Sequence, residues 1–387
     1  MKEHVKLRGK TWTYWIDAGK DDSGRRRQTT KGGFTTEAEA RAAARKALVQ
    51  IEQDGSFVPP SRERLAPFLR RWLKSQHLKP STLSMYTSMV ESHIVPRLGD
   101  IELRKLNAAQ LNAFYSGLLT SGRRMGKAKG TGLAPITVSK VHAVLHKALA
   151  AGVKWGDLTR NVSEQADPPS GRSQAQMRIW TAEELSRFLA FTAGERLATA
   201  YLVLATTGLR RGELLGLRWK DLDLPKARLS VVQTVVSVDY KVQLSTPKTA
   251  AGRRSVALDS TTVEYLQAHR RHQMNERSNL GLPWPGTEAF VFADIDGAPL
   301  HPDGFSDRFD RLVRRSGLPR ITVHDLRHTH ATLALQAGIP AKVVSERLGH
   351  ANVSMTLDIY SHVIPAMQED AAERVAGLIF APASKSG

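Results

Sequence analysis

The 387-residue chain has no cysteine. Disulfides, thiolate catalysis and Cys-ligated zinc are therefore excluded, and a reducing interior is the default compartment. No uninterrupted apolar run approaches the ~18 residues that a membrane helix needs. The start, Met1-Lys2-Glu3-His4, lacks the apolar core of a signal peptide. Acidic residues are scarce, 37 Asp and Glu against 56 Lys and Arg, giving a net charge of +19 and a pI near 10.3. A hydrophobic content of 41% supports real cores, and the length suits two or three domains. Such a basic excess in a folded chain points to a polyanion, most simply nucleic acid. The Gly-rich stretch Gly122–Gly130 lacks the Gly-x4-Gly-Lys-Ser/Thr spacing of a P-loop.

The excess is uneven. Residues 1–60 hold 12 basic and 8 acidic residues, 61–173 hold 18 and 7, and 174–387 hold 26 and 22. The middle third is thus expected to grip phosphates in a salt-dependent way. Linkers at Gly55–Pro60 and Ala166–Ser173 divide the chain into domains expected at 1–57, 61–162 and 174–387.

The first segment reads as three short strands (Val5–Arg8, Thr11–Ile16, Arg25–Thr30), then a helix capped by Thr36 with Glu39. A sheet carrying Arg25, Arg26 and Arg27 either reads a DNA groove or is a small module with a solvated face. The middle segment reads as helices begun by Ser81, Asn107 and Pro135, with core stripes Leu65/Phe68/Leu69/Trp72/Leu73, Leu83/Tyr86/Val90, Leu111/Phe114/Leu118/Leu119 and Val138/Val141/Leu145/Leu149. Its loop bearing Arg123, Arg124, Lys127 and Lys129 either touches phosphate or is solvated linker. In the last segment Thr181 and Glu184 form a capping box, Leu197–Ala205 is a buried helix, residues 228–257 alternate as a three-stranded meander, and a short strand lies near Phe290-Val291-Phe292. The fold class is multidomain and mainly α, with small β-sheets.

Four stretches of the last segment place unusual polar residues beside apolar helices. In Thr207-Gly-Leu-Arg210-Arg-Gly-Glu213, Gly208 ends a helix and Arg210 begins another, with Glu213 one turn on. This is either a structural ion pair or an anion site. Lys248 lies in Thr246-Pro-Lys-Thr249, a turn between two strands, where a lysine is usually just solvated. In His324-Asp-Leu-Arg327-His328, the first and fourth residues share a helical face and can grip one phosphate. His328 is also four residues from His324, the spacing of a metal pair, but Asp325 replaces the Glu of the zinc-protease motif and no third ligand is near. Leu348-Gly-His350 ends a helix, and Tyr360 follows on another. Taken together these are cations and one phenol, with no Asp/Glu cluster of metal-ligand spacing. Guanidinium forks can neutralise a phosphoryl transition state, and a phenolic oxygen is a competent nucleophile.

The order Arg210, Lys248, His324-x-x-Arg327, His350, Tyr360 closely resembles that of the tyrosine recombinases, specifically phage-type integrases. The resemblance is carried by Thr-Gly-Leu-Arg210-Arg-Gly-Glu-Leu-Leu-Gly-Leu, Thr-Pro-Lys248-Thr, His324-Asp-Leu-Arg327-His-Thr, Leu-Gly-His350 and Tyr360-Ser-His, and it covers residues ~174–380 best. It implies an arm-binding N-terminal sheet, a helical core-binding domain and a mixed α+β catalytic domain. It also implies that Tyr360 attacks the scissile phosphate to give a 3′-phosphotyrosine. Arg210 and Arg327 would clamp the non-bridging oxygens, Lys248 would protonate the 5′-oxygen, and His324 would accept the phenolic proton or assist its relay. His350 would hydrogen-bond the phosphate, and Glu213 would buttress the cations. No metal, cofactor or ATP is expected, since the covalent link keeps the phosphodiester energy.

The implied partners are double-stranded DNA at attachment sites, three further copies in a tetramer on DNA, an excisionase and a host DNA-bending protein. The implied compartment is a bacterial cytoplasm, with the protein on the nucleoid when DNA-bound. The activity expected is integration of a phage or mobile element into a chromosome. A final helix bearing Met367, Ala371, Val375, Leu378 and Ile379 would pack on a neighbouring protomer or close its own domain. Two alternatives share these features: a DNA-binding regulator with an idle catalytic fold, and a type IB topoisomerase.

Overall fold

The structure is a computed structural model. It describes residues 3–20, 26–54, 63–123, 129–170, 178–246 and 252–360, together with 372, 376, 379 and 380; side chains at 3, 17–20, 26–29, 50–54, 355 and 358–360 fall outside that description. The chain divides into two compact units, Met1–Gln174 and Ala175–Gly387.

The first unit opens with an antiparallel sheet, β1 (Glu3–Arg8), β2 (Thr11–Lys20) and β3 (Arg26–Phe34), in that spatial order. Helix α1 (Glu37–Asp54) follows. Its expected box is present: the Glu39 N–H donates to Thr36 Oγ1 at 3.2 Å, and the Thr36 N–H donates to Glu39 Oε2 at 3.3 Å. Tyr14 and Ile16 alternate inward against Ala44 and Ala47, so the aromatic, β-branched strand becomes a small core.

Helices α2 (Leu65–Lys74), α3 (Pro80–Met89), α4 (Val95–Leu98), α5 (Ala108–Ser121) and α6 (Pro135–Lys154) complete this unit. The start of α3 differs from expectation. Pro80 occupies the first turn, which needs no N–H there, so Lys79 is the cap and Ser81 lies inside the helix. Between α3 and α4 runs a π-turn, Val90–Ile94, in which the Val95 N–H reaches Val90 O. Pro96, with no N–H to offer, follows at once. Asn107 caps α5 in a reciprocal box with Gln110. The apolar stripes bury as spaced, except that Leu83 and Tyr86 are half-buried and Leu119 is exposed while Leu118 is buried. The basic excess here is partly spent internally: Arg64 pairs with Asp100, Arg70 with Glu91, Arg71 with Glu63 and Asp157, and Arg104 and Lys105 with Glu102.

In the second unit α7 (Ala182–Phe191) starts on the Thr181–Glu184 box, α8 (Ala198–Thr207) is buried nearly all round, and α9 (Arg211–Leu215) is short. The expected three-stranded meander is instead two separate sheets. One is β4 (Leu222–Asp223), β5 (Arg228–Val231) and β8 (Arg254–Ala257); the other is the hairpin of β6 (Thr234–Val238) and β7 (Lys241–Ser245). Alternation marks strands but leaves their partners open. Here Gln233 breaks the run by donating its side-chain amide to Gly216 O at 2.7 Å. The expected strand near Phe290 is a single bridge to Arg218.

Helices α10 (Ser260–Asn279), α11 (Pro302–Ser316), α12 (Val323–Gln336), α13 (Ala341–Leu348) and α14 (Val353–Tyr360) follow. The core of this unit centres on Trp180, Phe188, Tyr201, Phe305 and Phe309, and it reaches Leu326 on α12. No described helix is long and apolar enough to cross a membrane. The fold is multidomain and mainly α, with small antiparallel sheets. Of the expected terminal helix, Met367, Ala371, Val375 and Leu378 lie outside the described residues, and Ile379 is helical and exposed.

Candidate active site

The site is built where α8 and α13 end. Both end on left-handed glycines, Gly208 at φ 65° and Gly349 at φ 68°. Glycine is required at 208 on two counts: a Cβ there would strain the backbone and would lie 2.6 Å from Leu348 Cδ2 and 2.7 Å from His330 Cδ2. Helix ends leave carbonyls without intrahelical donors and carry partial negative charge. Imidazole and guanidinium groups meet them here. At the α8 end, His330 Nδ1 lies 2.8 Å from Ala205 O, Arg347 Nη2 donates to Thr206 O at 2.9 Å, and Arg327 Nη1 donates to Gly208 O at 2.8 Å. At the α13 end, Arg254 Nε donates to Arg347 O at 2.7 Å, Arg327 Nη2 to Leu348 O at 2.9 Å and Arg210 Nη2 to Gly349 O at 3.3 Å.

Arg210, immediately after the Gly208–Leu209 turn, caps α9. Its N–H donates to Glu213 Oε2 at 2.9 Å and its Nη1 to Glu213 Oε1 at 2.8 Å. The Arg210 side chain stays 40% exposed, whereas that of Glu213 is 5% exposed. Arg254, at the start of β8, donates to the other side of the same carboxylate, Nη2 to Oε2 at 2.9 Å and Nη1 to Oε1 at 3.2 Å. Burial pushes the Glu213 carboxyl up. The hydrogen bond and charge of Arg254, with the backbone N–H and charge of Arg210, outweigh it and hold the carboxyl below its usual range.

Arg327 comes from the second turn of α12, whose start Thr322 and Asp325 cap reciprocally, and it is almost wholly buried. His324, one turn earlier, meets His328 edge to face with ring centroids 4.8 Å apart. His350 leaves the mouth of α13, its N–H donating to Ser345 O at 3.0 Å and its Nδ1 lying 2.8 Å from Thr356 Oγ1 on α14. Burial first, then the nearby guanidiniums, lowers His350 to about 4; burial first, then His324, lowers His328 to about 4. His324 is lowered for the same reasons, burial and then Arg327. The arginines therefore supply fixed charge, while the imidazoles are neutral near pH 7 and can accept or share a proton. Among the described residues no three His, Asp or Glu side chains converge as metal ligands.

The structure thus brings Arg210, Glu213, Arg327 and His350 together, with His324 on the same helix as Arg327. Lys248 lies outside the described residues, between β7 and β8. Tyr360 is the last residue of α14, and its side chain is outside the description. Of the expected DNA contacts, Arg25, Arg124 and Lys127 are outside the described residues, and Arg26 and Arg27 are placed only as backbone of β3. Arg123 and Lys129 are exposed; Arg123 folds its loop by donating Nε to Gly132 O at 3.1 Å. Sequence reasoning missed Arg254, Arg347 and His330. For Arg254 a signal existed: it sits two residues before buried Val256, in the same strand phase.

Three sequence profiles match the chain: an arm DNA-binding domain over residues 4–51, a phage integrase N-terminal SAM-like domain over 65–119, and the phage integrase family over 178–367. A XerC-like tyrosine recombinase of Caldanaerobacter subterraneus subsp. tengcongensis is 27% identical over 379 residues, covering 92% of this chain and 94% of that protein. The integrase of Mycobacterium phage L5 is 28% identical over 353 residues, covering 88% of each. Among solved structures, the Tn1549 transposon integrase in complex with circular intermediate DNA aligns over 81% of this chain and 100% of its own, with a TM-score of 0.67 at 21% identity. A lambda integrase dimer bound to a core site aligns over 92% and 94%, with a TM-score of 0.58 at 19% identity. With its arginine and histidine cluster set in motif order within the matched region, the chain belongs to the phage integrase family of tyrosine recombinases.

Proposed function

We propose that the chain is a site-specific DNA recombinase that cuts and rejoins attachment-site DNA through a 3′-phosphotyrosine, integrating a phage or mobile element. The observation that carries this reading is the convergence of Arg210, Arg327 and His350 on the ends of α8 and α13, with Tyr360 closing the next helix. The Tyr360 phenolic oxygen forms the new P–O bond while the bond to the 5′-oxygen breaks. His324, neutral near pH 7, takes the phenolic proton, and Lys248 gives one to the departing 5′-oxygen. Arg210 and Arg327 neutralise the non-bridging oxygens as charge grows there, and His350 hydrogen-bonds the same phosphate. Attack by a different 5′-hydroxyl reverses the step and completes strand exchange.

Residues 1–57 bind arm-type sites, 61–162 clamp the core site and 174–387 perform the chemistry. Arg25, Arg26, Arg27, Arg123, Arg124, Lys127 and Lys129 reach DNA. Four copies act on two duplexes, a reading supported by the lambda integrase tetramer bound to a Holliday junction. An excisionase and a host DNA-bending protein set direction.

The test is an intermolecular reaction between two plasmids, each carrying one attachment site. Recombinant junctions should form with both sites and not when either is scrambled. Relaxation of any supercoiled plasmid without a site would favour the topoisomerase reading, and binding without strand exchange the regulator.

A further inference from the structure

We infer that Arg254 is a positioning residue for phosphoryl transfer, acting on Arg210 through the carboxylate they share; the inference rests on the recombinase reading above. Glu213 lies between two guanidiniums. Its Oε1 accepts from Arg210 Nη1 at 2.8 Å and Arg254 Nη1 at 3.2 Å, and its Oε2 accepts from the Arg210 N–H and Arg254 Nη2, both at 2.9 Å. Both oxygens are thus doubly engaged, and neither can swing towards a substrate. Arg254 and Glu213 are buried, with side chains 7% and 5% exposed, whereas Arg210 is 40% exposed. The chemistry is on the Arg210 side of the trio, and Arg254 stands behind it.

Charge decides what Arg254 does. Arg210 and Glu213 alone are a neutral pair, and a buried carboxylate at 2.8 Å would cancel most of the field that Arg210 presents to a phosphate. With Arg254 added, two guanidiniums share one carboxylate, and one positive unit is left over. Because Arg254 is enclosed, that unit is expressed at the exposed member, Arg210. Geometry adds a second effect. Arg254 Nε donates to Arg347 O and its Nη1 also reaches Gly252 O at 3.3 Å. One side chain therefore ties the first residue of β8 to Glu213 and to Arg347 in the last turn of α13, which Leu348, Gly349 and His350 follow. A planar fork with five donors can make all these contacts at once, and an ammonium cannot.

The experiment compares the wild type, Arg254→Lys and Arg254→Met as full chains. The probe is a nicked duplex carrying the core sequence of the element's own junctions, with either a phosphodiester or a methylphosphonate at the cleavage position. Single-turnover formation of the covalent adduct and duplex affinity are both measured. On the phosphodiester, Arg254→Met should react on the order of 10²-fold more slowly at unchanged affinity. Arg254→Lys, which keeps the charge, should recover at least half of that loss on a logarithmic scale. The methylphosphonate carries one fewer anionic oxygen and needs less neutralisation. On it the Arg254→Met deficit should shrink by ~10-fold or more, which a merely misfolded site would not do.

A wild type that forms no adduct overturns the recombinase reading itself. A reactive wild type with an Arg254→Met deficit equal on both substrates, or with no deficit, overturns this inference alone. Should the Met variant not bind the duplex, the Lys variant carries the same comparison.

Discussion

Arg327 ties the end of α8 to the end of α13: Nη1 donates to Gly208 O at 2.8 Å and Nη2 to Leu348 O at 2.9 Å. One buried guanidinium thereby fixes the turn that presents Arg210 and the turn that presents His350. The same geometry gives Arg327 a structural role beside the chemical one proposed for it. Arg327→Ala leaves two buried carbonyls without these donors and should cost about 3 kcal/mol of stability. Its melting temperature should fall well below that of Tyr360→Phe, which removes one oxygen from the proposed nucleophile. Equal melting temperatures for the two variants would show that these bonds contribute little.

Three half-buried histidines set a pH dependence. His328, His330 and His350 are each lowered from 6.5 to about 4, in each case by burial first. Above pH 6.5 they are neutral whether the chain is folded or not, and their contribution is level. As pH falls below 6.5 the unfolded chain takes up protons that the folded chain refuses until about pH 4, so stability is lost across that window. The melting temperature should decline from pH 7 to pH 4.5, and His330→Gln should flatten the decline. A melting temperature that rises towards acid would contradict these directions.

The phosphate contacts proposed for the middle domain predict a salt signature. Replacing Arg123 and Lys129 by Ala should weaken binding to all duplexes alike and reduce the slope of log affinity against log salt by about 2, one per phosphate contact. Filter binding from 50 to 300 mM salt measures it, and an unchanged slope would place both residues in solvent.

Much of this was legible because the rules involved are local. Thr36, Asn107 and Thr181 each precede a Glu or Gln by three residues, and each forms the reciprocal cap. Gly208 and Gly349 end helices for a reason visible one residue at a time. What failed was competition or distance. Ser81 lost the cap to Lys79 because Pro80 already fits the first turn. The strands of residues 228–257 were visible, but the pairing of β5 with β8, 23 residues apart at Val231 and Arg254, is a tertiary choice. The strand phase of Arg254 hints at burial but does not name its partner, Glu213, which lies 41 residues away and meets it only in the fold. Arg347 and His330 likewise find their partners, Thr206 and Ala205, more than 100 residues away.

The recombinase reading stands or falls on whether the phenolic oxygen of Tyr360 becomes bonded to a DNA phosphate. The direct measurement incubates the chain with a radiolabelled, nicked duplex of its own core sequence, denatures the mixture and maps the labelled peptide by mass spectrometry. A 3′-phosphate ester on Tyr360, absent from Tyr360→Phe, is the result predicted. Label on another residue, or an adduct of equal yield from Tyr360→Phe, would contradict it.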